Sequence, residues 1–254
     1  MRNRGSMTAL SASDAAPLRP PDALGERTYS LDEHWIRIGG GAGVLACLLF
    51  LAAAFATSNT LSSNSSTAVI VHFLTSHRSA VLVQTVLTVA GSAISLWFAA
   101  TLAHMIHSRD QRSPLGLLVL VAGAVMAAIA SFDGVTLTAL EFLSKQGGLT
   151  DPSVSRTFFD LQNGIVMPGM FGFAAAIFLL ALGSAILRGT FASRWVGWIS
   201  LVFALLSVVS SIEGLTISSG GTSALGYFPA VGFVLVGLVS SVFMLRYRAP
   251  ELQS

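Results

Sequence analysis

From Ser113 to Phe132 the chain carries no Asp, Glu, Lys or Arg, and from Trp195 to Ile212 it again carries none. A bilayer core is about 30 Å thick and takes about 20 apolar residues of helix to cross. In lipid a helix also satisfies its own backbone, which an open strand does not. Six segments meet the length requirement, at roughly 38–57, 80–107, 115–133, 160–187, 195–213 and 227–245. Composition agrees: 53% of residues are hydrophobic and 10% charged, where a soluble domain carries about 25% charged residues. The expected fold is all-α, a polytopic bundle of six transmembrane helices within a membrane domain at 30–248, with the lipid bilayer as its surroundings.

Six spans place both termini on one side. Arg2, Arg4, Arg19, Arg27, Arg37, Arg109, Arg112, Arg188, Arg194, Arg246 and Arg248 fall on the side of the termini, against Arg78, Lys145 and Arg156 opposite. Cations accumulate on the cytoplasmic side of membrane proteins, so both termini are expected in the cytoplasm, with the plasma membrane as the location. Trp35, Trp195, Trp198 and Tyr247 fall at the same boundary, where amphipathic rings anchor helices. The net charge of +2 is spread between apolar segments, not gathered on one soluble face, so nucleic acid is not an expected partner. The single cysteine, Cys47, lies inside the first apolar run and excludes an internal disulfide or a thiolate metal site.

Residues 1–29, with Pro17, Pro20 and Pro21, show no apolar period and read as a disordered cytoplasmic tail, and 249–254 are expected to form a cytoplasmic tail at the other end. Ser30 and Glu33 have the spacing of a capping box and are expected to open the first ordered helix. Ala54-Phe55-Ala56 resembles a signal-peptide cleavage site, but the apolar run is long and its leader longer, so a retained span is the favoured reading. Between the first two spans, about 66–76, lies a stretch too short to cross and too apolar for a solvated loop. It is expected to be an outer interfacial helix, capped by Asn64 or Ser65 and bearing His72, His77 and Arg78 at its polar end.

Two acids close the charge-free runs in similar local wording, SFDGVTL around Asp133 and SIEGLTI around Glu213. The offset of 80 also matches Val86 with Val166, Phe98 with Phe178, Leu102 with Leu182 and Ile106 with Ile186. A parallel two-helix repeat accounts for this, and chance matching of apolar sequence is the competing account. Each acid lies about 27 Å along its span, at equal depth near the outer edge. If both spans end there, the helix dipole opposes a negative charge at the C-terminus, and partial burial opposes it further. Gly134 and Gly214 would then loosen the helix, with Thr136 and Thr216 supplying hydroxyls on the same face.

The expected binding set is therefore Asp133, Glu213, Arg78, Asp160, Asn163, Thr136 and Thr216, meeting in one outward-facing pocket with Arg78 as counter-ion. The competing reading makes the acids ordinary interfacial groups facing lipid headgroups. His104 and His107 have a spacing that suits a metal, but beside Arg109 they read better as interfacial residues at a helix end. Pro168 either kinks the fourth span or is tolerated there. Gly39 and Gly43 fit close helix packing. No HExxH motif, Walker loop or dinucleotide glycine fingerprint occurs, and GTSALG at 221–226 has the wrong spacing for a nucleophile elbow. No catalytic residue and no cofactor is assigned.

The stretch VHFLTSHRSAVLVQ, then LWFAATL, then RWVGW resembles a group of uncharacterised small multi-span integral membrane proteins of actinobacterial type. The resemblance implies a helical bundle in the plasma membrane, and no functional residue is carried over from it. Three function classes follow from the residues: a protein that binds or passes a small solute or ion, a scaffold packed against a membrane-protein partner or a second copy, and a membrane-embedded hydrolase using the acids with His72 or His77.

Overall fold

The computed structural model describes residues 22–56, 65–145, 156–157, 159–161, 166, 169–189, 191–216 and 224–247. Among them there is no strand. The helices are α1 (Asp22–Ala56), α2 (Thr67–Ser76), α3 (Arg78–Arg109), α4 (Leu115–Lys145), α5 (Gly172–Leu187), α6 (Arg194–Thr216) and α7 (Phe228–Leu245). All but α2 are long and apolar enough to cross a membrane, which makes the six-helix bundle expected from the sequence the observed fold.

The helix ends follow local chemistry. At the start of α4 the Ser113 hydroxyl accepts the Leu115 N–H at 3.3 Å, and Pro114 precedes the first turn, where its missing N–H costs nothing. Gly189 ends α5 at φ 82°, a conformation that a Cβ would strain, and its N–H bonds the Ile186 carbonyl at 2.9 Å. Pro229 stands in the first turn of α7, after a 3₁₀ turn at Ala224–Tyr227. α1 begins at Asp22, ahead of Ser30, right after the Pro20-Pro21 pair in sequence. Residues 1–21 and 248–254, which hold most of both tails, lie outside the described residues.

The six long helices form a ring in the order α1, α3, α4, α5, α6, α7, with α7 closing on α1 and α5 also touching α7. Small residues permit the close approaches. A Cβ on Gly39 would run into Thr101 of α3, and one on Gly43 into Ser241 of α7 and Phe98 of α3. The sequence reading of these two glycines as a packing seam is the observed one, with α1 wedged between α3 and α7. Phe98, Leu102, Ile106, Phe178, Leu182 and Ile186 are all fully buried, so three of the pairs matched by the offset of 80 face the core alike. Val86 is exposed where Val166 is buried, so the fourth pair does not. The two hairpins share one device: a Cβ on Gly116 would stand 2.8 Å from the Ala103 carbonyl, and one on Gly197 3.0 Å from the Gly183 carbonyl.

Polar side chains inside the bundle are mostly absorbed by their own helices. Ser200, Ser207 and Ser211 of α6 and Ser241 of α7 each donate to the carbonyl four residues back at 2.7–2.8 Å. This is how a hydroxyl is carried in an apolar bundle without a partner helix. The outward faces carry Leu48, Phe55, Leu117, Phe132, Trp198 and Leu205, all exposed, as a lipid-facing surface requires.

α1 and the end of α7 meet at one end of the bundle, where the Arg37 guanidinium donates to the Tyr247 carbonyl at 3.4 Å. Arg109 lies over the Tyr247 ring, 5.8 Å from its centroid, and Arg188 pairs with Asp110 at 3.4 Å. At the other end α2 packs against α3 and α4, burying Ile70 and Leu74 with Val81 and Phe159 in a cluster apart from the main core. The expected short helix is present. Its N-cap is Ser66, with no side-chain cap, and Asn64 lies outside the described residues. The Ser65 carbonyl instead accepts the Arg156 guanidinium at 2.7 Å.

Candidate functional site

The acids differ in environment. Asp133 is 8% exposed on α4, while Glu213 is half-buried on α6, and α5 packs between their two helices. Asp133 also does not end its helix. α4 continues to Lys145, twelve residues further, so Asp133 lies well before the last turn, the part of a helix where the dipole acts on a charge. The expected dipole penalty thus does not apply to Asp133. Glu213 lies three residues before Thr216, the last described residue of α6.

Gly134 does not loosen α4. The helix is continuous through it, and the missing side chain brings α3 close, since a Cβ there would stand 3.3 Å from Thr85 Cγ2. The Thr85 hydroxyl donates to the Gly134 carbonyl at 3.1 Å and accepts the Thr138 hydroxyl at 3.1 Å. This polar contact fixes the rotation of α4 against α3 next to the acid. Thr136 is buried and donates to the Phe132 carbonyl at 2.8 Å, and Thr216 is exposed and donates to the Ile212 carbonyl at 2.7 Å. Both threonine hydroxyls spend their protons on their own helix.

Asp133 lines a cavity of about 180 Å³ in the half of the bundle away from the termini. Gln84, Thr88 and Ser95 of α3 line it from one side, spaced so that they share a helix face. Phe50 of α1, Phe171 and Phe233 of α7 line it from the others. Residues 169–171, just before α5, are wound as π-helix, a wider turn that often accompanies functional sites, and Phe171 belongs to it. In the sequence this follows Pro168, which cannot donate to the carbonyl four residues back.

The other described residues of the expected set are not among the lining residues of this cavity. Neither Glu213 nor Arg78 is among its described lining residues. Arg78 is exposed at the head of α3. Asp160 is exposed and bonds Arg156 at 2.8 Å, and Asn163 lies outside the described residues. His72 is exposed on α2, and the His77 ring stacks on Phe73 at 4.6 Å. No cluster of three or more His, Cys, Asp or Glu occurs among the described residues, His104 and His107 included. The cavity's aromatic wall and the α3 face opposite it escaped the sequence reading. A phenylalanine in an apolar span carries no signal of facing a cavity, whereas Gln84, an uncharged polar residue within a span, was the available clue.

The chain is thus a multi-pass, all-α membrane protein in which the buried Asp133 lines a partly open cavity between helices. Comparison with protein-family models, curated proteins and solved structures gave no match.

Proposed function

We propose that this protein binds a small solute inside its helical bundle, in the cavity beside Asp133, and that it sits in the plasma membrane with both termini cytoplasmic. The observation that supports binding is the placement of the buried Asp133 in the wall of a cavity large enough for about six waters. Ionisable groups inside membrane bundles are costly to keep and mark solute or ion sites. On this orientation, supported by the arginines at the termini end, the cavity lies in the outer half of the bundle.

A scaffold role finds less support, because the small-residue seam that suits helix association is used within the chain, where Gly39 and Gly43 pack on α3 and α7. The test is thermal stabilisation of the purified protein by a panel of small metabolites, amines and neutral alcohols, repeated with Ala130→Phe, which fills the cavity. Stabilisation of the wild-type protein that Ala130→Phe abolishes is the expected result. A panel that leaves the wild-type midpoint unchanged throughout would overturn the reading.

A further inference from the structure

We infer that the ligand of the Asp133 cavity is a small primary alkylammonium ion, its N–H groups turned to α3 and α4 and its alkyl body to the phenyl rings. The inference rests on the binding role proposed above and names the chemical class that the wall selects. The described lining residues include no Arg, Lys or His, so the formal charge contributed by the wall is that of Asp133. A described wall that holds a carboxyl group and no basic side chain suits a cation or a hydrogen-bond donor.

The hydroxyls reinforce this. Ser95 donates its proton to the Ser92 carbonyl at 2.8 Å, which leaves its lone pairs as the part it can offer a ligand. The polar lining residues, Gln84, Thr88, Ser95 and Asp133, come only from α3 and α4. The rest of the wall is alanine, valine, methionine and phenylalanine. A bare metal ion needs oxygens on most sides, about six to eight for calcium, and this wall supplies them on one side alone. An alkylammonium ion divides the same way as the wall, with donors at one end and hydrocarbon at the other. Phe50, Phe171 and Phe233 supply the apolar surface that the alkyl body would cover. Phe50 and Phe233 meet edge to face at 6.1 Å, and Phe233 is braced in turn by Phe178 at 5.6 Å, so the aromatic side is held in place.

The experiment compares isobutylammonium chloride, the neutral near-isostere isobutanol and sodium chloride as stabilisers of the detergent-purified full chain, at constant ionic strength. Isobutylammonium is expected to raise the unfolding midpoint in a saturable way, and isobutanol and sodium to raise it little. Asp133→Asn is expected to weaken isobutylammonium binding at least about tenfold, as loss of a charge-assisted hydrogen bond would. Phe50→Leu should weaken it about three- to tenfold by removing apolar surface from the alkyl side of the wall, and it keeps the proposal testable if Asp133→Asn does not fold.

Equal stabilisation by isobutanol would overturn the ammonium assignment while leaving a solute-binding cavity intact. Stabilisation by sodium as strong as by isobutylammonium would also overturn it, as would unchanged binding in folded Asp133→Asn. Absence of any stabilisation by the ammonium and by every compound of the broader panel would overturn the binding role itself.

Discussion

The Thr85 hydroxyl on α3 donates to the carbonyl of Gly134 on α4 at 3.1 Å, one residue beyond the buried acid. A mid-helix carbonyl already accepts within its own helix, so this bond is an added tie between two helices in an apolar setting. Replacing Thr85 by Val keeps the shape and removes the bond, and is expected to lower stability by about 0.5–1.5 kcal/mol, within the range for hydrogen bonds between membrane helices. Unfolding in mixed detergent monitored by circular dichroism checks this, and an unchanged transition would show that the contact carries no stability.

The glycine seam of α1 gives a sharper contrast. Gly43→Val drives a side chain into Ser241 and Phe98, whereas nothing lies within 4 Å of a Cβ on Gly41. Gly43→Val is expected to cost about 1–3 kcal/mol or more as overpacking, and Gly41→Ala to be neutral or slightly stabilising. The two unfolding midpoints, measured side by side, decide it.

Asp133 and Glu213 are expected to part company in function. Asp133→Asn should reduce ligand stabilisation at least about tenfold, while Glu213→Gln, outside the described cavity wall, should leave it within about twofold. Equal losses in both variants would return the site to a shared pocket of the two acids.

Orientation is open to labelling. A cysteine placed near Gly148 should react with a membrane-impermeant thiol reagent added outside cells, and one near Gln111 should not, with Cys47 buried and silent as background. The opposite pattern would invert the assignment drawn from the arginines.

Arg156 ties down the start of the short helix α2 by bonding both the Ser65 carbonyl at 2.7 Å and Asp160 at 2.8 Å. Its ion pair is solvent-accessible, and such pairs contribute about 0–1 kcal/mol. Arg156→Ala is accordingly expected to leave global stability nearly unchanged and to speed hydrogen exchange at Thr67–Ser76. Exchange at Gly172–Leu187 should stay the same.

The spans were legible because the bilayer imposes a length and polarity rule on each segment separately, so Ser113 to Phe132 announces a helix without reference to any other part of the chain. The short helix at Thr67–Ser76 and the packing role of Gly39 and Gly43 were legible for the same reason, each resting on local length or spacing. The acids were legible as exceptions in apolar surroundings. Their fates were not, because SFDGVTL and SIEGLTI are similar as strings and differ in what surrounds them. α4 runs on past Asp133 to Lys145 and sets the buried acid in a cavity wall shared with residues of α1, α3 and α7, while Glu213 is half-buried on α6 and is not among that wall's described residues. Rotation about a helix axis decides whether a carboxylate faces a cavity or the boundary, and it is set by neighbours such as Thr85 and Phe171 that are distant in sequence. The sequence by itself determined how many times the chain can cross a membrane and where its acids lie along the spans. Only the tertiary structure decided which acid is enclosed, since enclosure belongs to the ring of helices and not to any one of them.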